Sequence, residues 1–172
     1  MTPTDVVVLM GSASDWKLIE SATSVLEKLG LSYGVHVSSA HRTPERTVEL
    51  VRAADAAGCR VFICAAGMAA HLAGVVAAHT LRPVLGVPLP GGVLDGVDAL
   101  LSTVQMPAGV PVATFAVGSA GARNAAYFAA QIVAQHRPEV AEALAGARRE
   151  AATAVERADR ELGAAPAGKS AP

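Results

Sequence analysis

A strand, a short loop and a helix are predicted to follow one another in residues 33–51, Tyr33-Gly34-Val35-His36-Val37-Ser38-Ser39-Ala40-His41-Arg42-Thr43-Pro44-Glu45-Arg46-Thr47-Val48-Glu49-Leu50-Val51. Residues 33–37 alternate along their length as a strand does. Thr43 suits a helix N-cap and Pro44 the first helical position, because a missing N–H has no cost there. His41 and Arg42 are therefore expected on a loop at the carboxyl end of a strand, where open α/β sheets bind ligands.

The same alternation of strands and helices continues on both sides of this stretch. Val6 to Met10 is an uninterrupted apolar run, as expected for a central parallel strand covered on both faces. Further strands are predicted over 60–66, 83–88 and 110–117, and helices over 16–29, 44–57, from the turn at 67–71 to about 80, 95–105 and 123–135. The alternation predicts an α/β fold with a doubly wound, parallel, five-stranded sheet. We choose the flavodoxin-like strand order 2-1-3-4-5, which periodicity alone does not determine.

The composition of the 172-residue chain is apolar and nearly neutral. Hydrophobic residues make up 52% of it, yet no apolar run approaches the length of a membrane span. A large subunit interface would bury this excess, so a homo-oligomer is expected and a membrane partner is not. The net charge of −1, without a basic stripe, argues against nucleic acid as a partner.

The two cysteines and the first residues bear on the compartment. Cys59 and Cys64 fall in or beside one predicted strand, too close together to bridge easily, and are interpreted as small core residues of a cytoplasmic protein. Residues 1–5 lack the charged-then-apolar pattern of a signal peptide. A cytoplasmic location is therefore expected.

Residues 138–163 are predicted to form one more helix after the five-stranded unit is complete. Their apolar positions advance by three and four residues, and the opposite face is charged. This pattern fits packing on a neighbouring subunit and packing on the helix's own domain about equally well. Residues 1–163 are taken as a single domain, and residues 164–172, which are small, polar and Pro-containing, are expected to be disordered.

Four loops follow strand carboxyl ends and are expected to converge on one rim. The first, 11–15, supplies a glycine, hydroxyls and helix-start N–H groups, which suit a phosphate site or an ordinary capped turn. The second carries His41 and Arg42, a proton-exchanging imidazole beside a fixed cation. The third, 65–71, ends on His71, which is expected a few residues inside a helix and is compatible with a structural or a site role. The fourth, 118–124, again places glycines before a helix.

Several classes of reaction lack their residues in this sequence. It has no GxSxG, no HExxH, no Cys/His cluster with metal-ligand spacing, no GxGxxG or Walker motif, and no recognisable pair of catalytic carboxylates. What remains is a candidate phosphate loop, an arginine and one or two imidazoles. This set suits proton transfer on a phosphorylated small molecule.

Five short motifs occur in order along the chain. They are Gly11-Ser-Ala-Ser-Asp15-Trp16, Ser38-Ser-Ala-His41-Arg42-Thr43-Pro44, Ala69-Ala-His71-Leu72, Pro83-Val-Leu-Gly-Val-Pro88 and Ser102-Thr-Val-Gln-Met-Pro-Ala-Gly-Val-Pro111. Together they resemble the class I N5-carboxyaminoimidazole ribonucleotide mutases of bacterial purine biosynthesis, collinearly from about Val6 to His136. The resemblance implies a flavodoxin-like subunit in a homo-octamer, with C-terminal helices packed across subunits.

The resemblance also implies a reaction that needs no ATP, metal or organic cofactor. The carboxylate of the ribonucleotide substrate moves from the exocyclic nitrogen to ring carbon C4. His41 matches the general acid/base, which donates a proton as CO2 leaves the nitrogen and later removes the C4 proton. The positions that match substrate-binding residues of the family are Gly11, Ser12, Ser14, Asp15, Ser39, Ala40, Arg42, Gly67, Ala69, Ala70, His71 and Leu72.

Other functions stay open from the sequence. Class II relatives carboxylate aminoimidazole ribonucleotide directly with CO2, but they typically carry Lys-Gly-Thr after the loop histidine, where this chain has Arg42-Thr43-Pro44. A flavin- or nucleotide-binding module is the second alternative, although the loops supply almost no aromatic residue that could stack on a ring. Met68 and Ala73 stand where the family often has Gly and Pro, which leaves open a relative with an altered substrate.

Overall fold

The computed structural model describes residues 1–163, in which five parallel strands form one sheet. The strands are β1 (Val6–Met10), β2 (Tyr33–Val37), β3 (Val61–Gly67), β4 (Val84–Leu89) and β5 (Ala113–Thr114). Their order across the sheet is β2-β1-β3-β4-β5, which confirms the flavodoxin-like α/β fold. The expected disordered segment, residues 164–172, lies outside the described residues.

Helices cover both faces of the sheet and follow each strand in turn. They are α1 (Trp16–Lys28), α2 (Pro44–Ala56), α3 (Leu72–Ala77), α4 (Val97–Val104), α5 (Ser119–Ala134) and α6 (Pro138–Gly163), and a 3-10 turn (Ala13–Asp15) precedes α1. None of the helices in residues 1–163 combines the length and the apolar character that crossing a membrane would require.

Burial on both faces explains why β1 is apolar at every position. Successive side chains of a strand point to opposite faces of the sheet. Val6 and Val8 belong to the core formed with α1 and α5, whereas Val7 and Leu9 belong to the core formed with α2 and α3. No position of the strand faces water, so its loops are held on a rigid base.

Strand β5 is much shorter than the strand predicted over 110–117. Only Ala113 and Thr114 pair with β4, although the Phe115 N–H still donates to the Gly86 carbonyl at 2.9 Å. The next β4 residue that faces this edge is Pro88, which accepts from the Gly118 N–H at 2.9 Å but has no N–H of its own to donate. The ladder therefore stops there.

The remaining differences from the predicted bounds are small and lie at the ends of strands and helices. Helix α3 begins at Leu72 and ends at Ala77, several residues before the predicted end near 80, and α5 begins at Ser119 rather than at 123. Helix α5 can begin at Ser119, before the predicted start, because its small residues allow it to approach the sheet closely. Its fully buried alanines are Ala122, Ala125, Ala126, Ala129 and Ala130.

Helix α6 lies on its own domain in its first half and is exposed in its second half. Val140 is buried, Leu144 packs against the same core as α1 and α5, and the Lys28 ammonium meets the Glu150 carboxylate at 2.6 Å. Every described residue from Arg148 onward is exposed. The first half of α6 thus packs on its own domain, and the second half is exposed to solvent in the single chain.

Candidate active site

A cavity of about 460 Å³ opens at the carboxyl ends of β1, β2, β3 and β4. It lies where open α/β sheets bind ligands. Its lining residues are Gly11, Ser12, Ser14, Asp15, Ser39, Ala40, His41, Arg42, Ala66, Gly67, Met68, Ala69, His71, Leu72, Leu89, Pro90 and Gly91. The structure therefore brings His41 and all but one of the other predicted site residues together. The exception is Ala70, which is buried and does not line the cavity.

The loop after β1 is a capped turn that also lines the cavity. The Asp15 carboxylate accepts from the Ser12 N–H at 3.0 Å, and the Ser12 hydroxyl accepts from the Ser14 N–H at 3.3 Å. These reciprocal bonds form a capping box, which fixes the turn. Burial raises the pKa of the Asp15 carboxyl above 3.8, although the Ser12 N–H, the Ser14 hydroxyl and the Arg42 charge act in the opposite direction. The loop is thus a capped turn, and because it also lines the cavity, the phosphate site remains a prediction.

Thr43 occupies the N-cap position of α2, as predicted, and its hydroxyl stabilises the loop after β2. Pro44 occupies the first turn of α2 as predicted, but the Thr43 hydroxyl makes no cap bond to the helix. It accepts instead from the Ser39 N–H at 3.0 Å and donates to the Ser39 carbonyl at 3.1 Å. The hydroxyl thus closes the 39–43 loop on itself and so fixes the backbone that carries His41.

Arg42 connects the first two loops. Its guanidinium Nη2 donates to the Gly11 carbonyl at 2.9 Å, and its backbone N–H donates to the Ser39 hydroxyl at 3.3 Å. The guanidinium lines the cavity and is exposed, so most of its donors remain available to an anion. A fixed cation next to hydroxyl groups is suited to a phosphate.

Two imidazoles from different loops meet in the cavity. His41 Nε2 and His71 Nδ1 are 2.7 Å apart, and the two rings are nearly perpendicular at 84°. One of these nitrogens must donate and the other accept, so a single hydrogen lies between the two nitrogens. His71 is not inside a helix as predicted, because α3 starts at Leu72 and His71 occupies the position before it. That position leaves its ring free to turn towards His41.

Met68 has an unusual backbone for a residue with a side chain. Its φ is +55°, in the left-handed region, which costs an ordinary residue roughly 1–2 kcal/mol. The side chain is 61% exposed and lines the cavity. The substitution noted in the sequence therefore lies at the site itself.

The loop after β4 forms one wall of the cavity that the sequence analysis did not predict, and the predicted fourth loop, 118–124, forms no wall of it. Leu89, Pro90 and Gly91 follow β4 and line the cavity, whereas no residue of the predicted fourth loop, 118–124, does so. The Gly118 N–H is bound to the Pro88 carbonyl, so this loop is held at the edge of the sheet beside the β4 loop. The signal for the missing wall was the run Pro90-Gly91-Gly92 directly after a buried strand.

Thr43→Val tests whether the hydroxyl holds the 39–43 loop. Valine keeps the shape of threonine but removes both bonds to Ser39, so we expect a loss of about 1–2 kcal/mol in the free energy of unfolding. Urea unfolding measures this loss. Thr43→Ser keeps the hydroxyl and should stay close to the wild type. Equal stability of the valine and serine variants would contradict the role given to the hydroxyl.

Asp15→Asn tests the effect of burying the Asp15 carboxyl. Because the pKa is raised in the folded state, the folded protein holds this proton more tightly than the unfolded chain does. The contribution of Asp15 to stability therefore falls as the pH rises from 3.8 through the raised folded pKa. The amide can still accept from Ser12 but does not titrate. We expect the free energy of unfolding of the variant, relative to that of the wild type, to increase between about pH 3.5 and about pH 6, a window that begins near the reference pKa of about 3.9. Urea unfolding at both pH values measures this difference. A difference that does not change with pH would contradict the raised pKa of Asp15.

Comparisons with known proteins place the chain among purine-biosynthetic proteins. The protein-family model described as AIR carboxylase matches residues 5–154. The N5-carboxyaminoimidazole ribonucleotide mutase of Pseudomonas aeruginosa is 53% identical over 137 residues, which cover 80% of this chain and 84% of that protein. The protein of the same name from Escherichia coli K12 is 50% identical over 138 residues, covering 80% of this chain and 82% of its own.

A solved structure supports the same placement. The crystal structure of Treponema denticola PurE aligns with a TM-score of 0.83 and 28% identity, covering 91% of this chain and 97% of that one.

Proposed function

This chain belongs to the AIR carboxylase family, and on that premise we propose that it converts N5-carboxyaminoimidazole ribonucleotide into 4-carboxy-5-aminoimidazole ribonucleotide in purine biosynthesis. Relatives about half identical to it over most of its length carry the name of the enzyme for this isomerisation. The observation in the structure that carries the proposal is the His41–His71 pair, which brings a proton-exchanging group into a cavity with phosphate-binding equipment.

The proposed binding mode follows from the chemistry of the cavity walls. The Arg42 guanidinium and the Ser12 and Ser39 hydroxyls suit the phosphate, and the Asp15 carboxylate suits ribose hydroxyls. The other predicted residues that line the cavity would contact the substrate through backbone or side-chain atoms, whereas Ala70 is buried behind them and would support the loop. The lining residues of this group are Gly11, Ser14, Ala40, Gly67, Ala69, His71 and Leu72.

His41 is the proposed general acid/base, acting in two steps that balance. In the first, the bond between the exocyclic nitrogen and the carboxylate breaks, CO2 leaves, and His41 protonates the nitrogen. In the second, C4 forms a bond to this CO2 and its proton passes to His41. The imidazole ends as it began, and the enclosed CO2 reacts at a high effective concentration. His71, at 2.7 Å, would hold the ring and accept or return a proton.

The main alternative is direct carboxylation of aminoimidazole ribonucleotide by dissolved CO2. Arg42-Thr43-Pro44 favours the mutase, because the class II relatives that carboxylate directly typically carry Lys-Gly-Thr at these positions. A flavin- or nucleotide-binding module is less compatible with the cavity, whose lining contains no Phe, Tyr or Trp.

An ATP-free assay separates these functions. The purified chain is incubated with N5-carboxyaminoimidazole ribonucleotide and, separately, with aminoimidazole ribonucleotide plus bicarbonate, each beside an enzyme-free blank. Rapid formation of the C4-carboxylated product from the first substrate is expected. Product from the second substrate alone would replace the mutase by the carboxylase. Turnover of neither by the folded protein would overturn the proposal.

The homo-octamer and the cytoplasmic setting are finer parts of this proposal. Helix α4 exposes about half of Val97, Leu101 and Val104, an apolar face that a second copy would cover. The second half of α6 exposes Val155 and Leu162 in the same way, which supports packing across subunits. Light scattering after gel filtration should give an octamer of 17.4 kDa chains, and a monomer would contradict it. Cys59 and Cys64, both free and buried, are compatible with a reducing compartment.

A further inference from the structure

Neither packing in the core nor the backbone geometry requires a methionine at position 68. Glycine would adopt φ +55° without strain, and the Met68 side chain is 61% exposed rather than packed in the interior. Residues held in unfavourable backbone conformations cluster at functional sites, where the surrounding structure maintains them. Met68 lies at such a place, because it lines the cavity that contains His41 and His71.

The Met68 side chain extends from the β3 loop to the β4 loop. Its Cγ lies 3.4 Å from the point that a Cβ on Gly92 would occupy, so the chain passes close to the Gly92 backbone. Gly92 has φ +69°, and its neighbour Gly91 lines the same cavity. The Met68 side chain therefore bridges the β3 and β4 loops just beyond Gly67 and Leu89, where the pairing of the two strands ends.

We propose that Met68 is a positioning residue that closes this side of the cavity and retains CO2 between the two steps of the reaction. The inference rests on the proposed mutase activity. CO2 is neutral and has no hydrogen to donate, so a polarisable apolar side chain can confine it without binding it tightly. If CO2 escapes after the first step, the proton from His41 stays on the nitrogen, and aminoimidazole ribonucleotide is released in place of the carboxylated product.

Partition between the two products tests this role. Met68→Ala shortens the side chain, and Met68→Gly also removes the backbone strain, whereas Met68→Leu keeps an apolar side chain of similar length. Each protein is given N5-carboxyaminoimidazole ribonucleotide in ¹³C-bicarbonate buffer, with a blank for non-enzymatic decay. We measure released aminoimidazole ribonucleotide and the label in the C4 carboxylate.

The alanine and glycine variants should release about fivefold more aminoimidazole ribonucleotide per product formed than the wild type, and should take up more label. The leucine variant should partition as the wild type does. A change of stability alone would lower the amount of active enzyme without altering this ratio. An unchanged ratio and label in the alanine and glycine variants, with an active wild type, would overturn the role of Met68. A wild type that does not convert the substrate would overturn the proposed function and this inference with it.

Discussion

His41→Asn should lower the turnover of N5-carboxyaminoimidazole ribonucleotide by about 10³- to 10⁴-fold, the upper range for loss of a general acid/base. Asparagine can still hydrogen-bond to His71, but it cannot give up and regain a proton. Because His41 is proposed to act in both steps, the variant should neither release CO2 from the nitrogen nor form the C4-carboxylated product. A steady-state assay that follows both ribonucleotides measures this loss.

Two further substitutions control for the loss of any histidine. His79 and His136 are exposed and lie outside the cavity, so His79→Asn and His136→Asn should keep wild-type turnover. His41 is itself exposed, so His41→Asn should unfold at the same urea concentration as the wild type. A folded His41→Asn protein that retains more than about a tenth of the activity would remove His41 from the mechanism, since general acid/base catalysis contributes at least about 100-fold.

His71→Asn separates a shared role from an independent one. The 2.7 Å contact couples the two imidazoles, so the losses of the single variants should not add in the double variant. We expect the double variant to be about as slow as His41→Asn alone. Fully additive losses would indicate that His71 acts on the substrate independently of His41.

Much of the fold was predictable because burial leaves a clear pattern in this chain. Strands covered on both faces must be apolar at every position, as Val6 to Met10 are, and loops after parallel strands meet at one edge. The strand order depended on the choice of a known fold. The early end of β5 was not predictable from periodicity, because it depends on Pro88 of a neighbouring strand facing that edge.

The candidate site was predictable as a set of loops but not as a set of contacts. The sequence indicated the β1, β2 and β3 loops, since each places polar groups after a strand. It did not indicate that His41 and His71, thirty positions apart, would meet at 2.7 Å, because that distance depends on how the β2 and β3 loops pack. The Thr43 hydroxyl had two feasible partners, the helix and its own loop, and local sequence does not decide between them.

Gly121→Ala should destabilise the protein by at least about 3 kcal/mol, or prevent folding, since a side chain there has no room. A Cβ on Gly121 would lie 1.6 Å from the Ala116 carbonyl oxygen and 2.6 Å from its carbonyl carbon. This neighbour is backbone, so no change of rotamer relieves the clash. The Phe115 and Gly118 N–H groups on either side of Ala116 are bound to β4, and so the segment cannot easily move away.

Gly146→Ala is the matched control for this substitution, because both glycines lie inside helices. A Cβ on Gly146 would meet nothing closer than the Arg149 guanidinium at 3.9 Å. Alanine should therefore stabilise α6 by about 0.5–1 kcal/mol through its higher helix propensity. Urea unfolding of the two variants should shift in opposite directions from the wild type. If Gly121→Ala were as stable as Gly146→Ala, the close packing of α5 on the segment after β5 would be wrong.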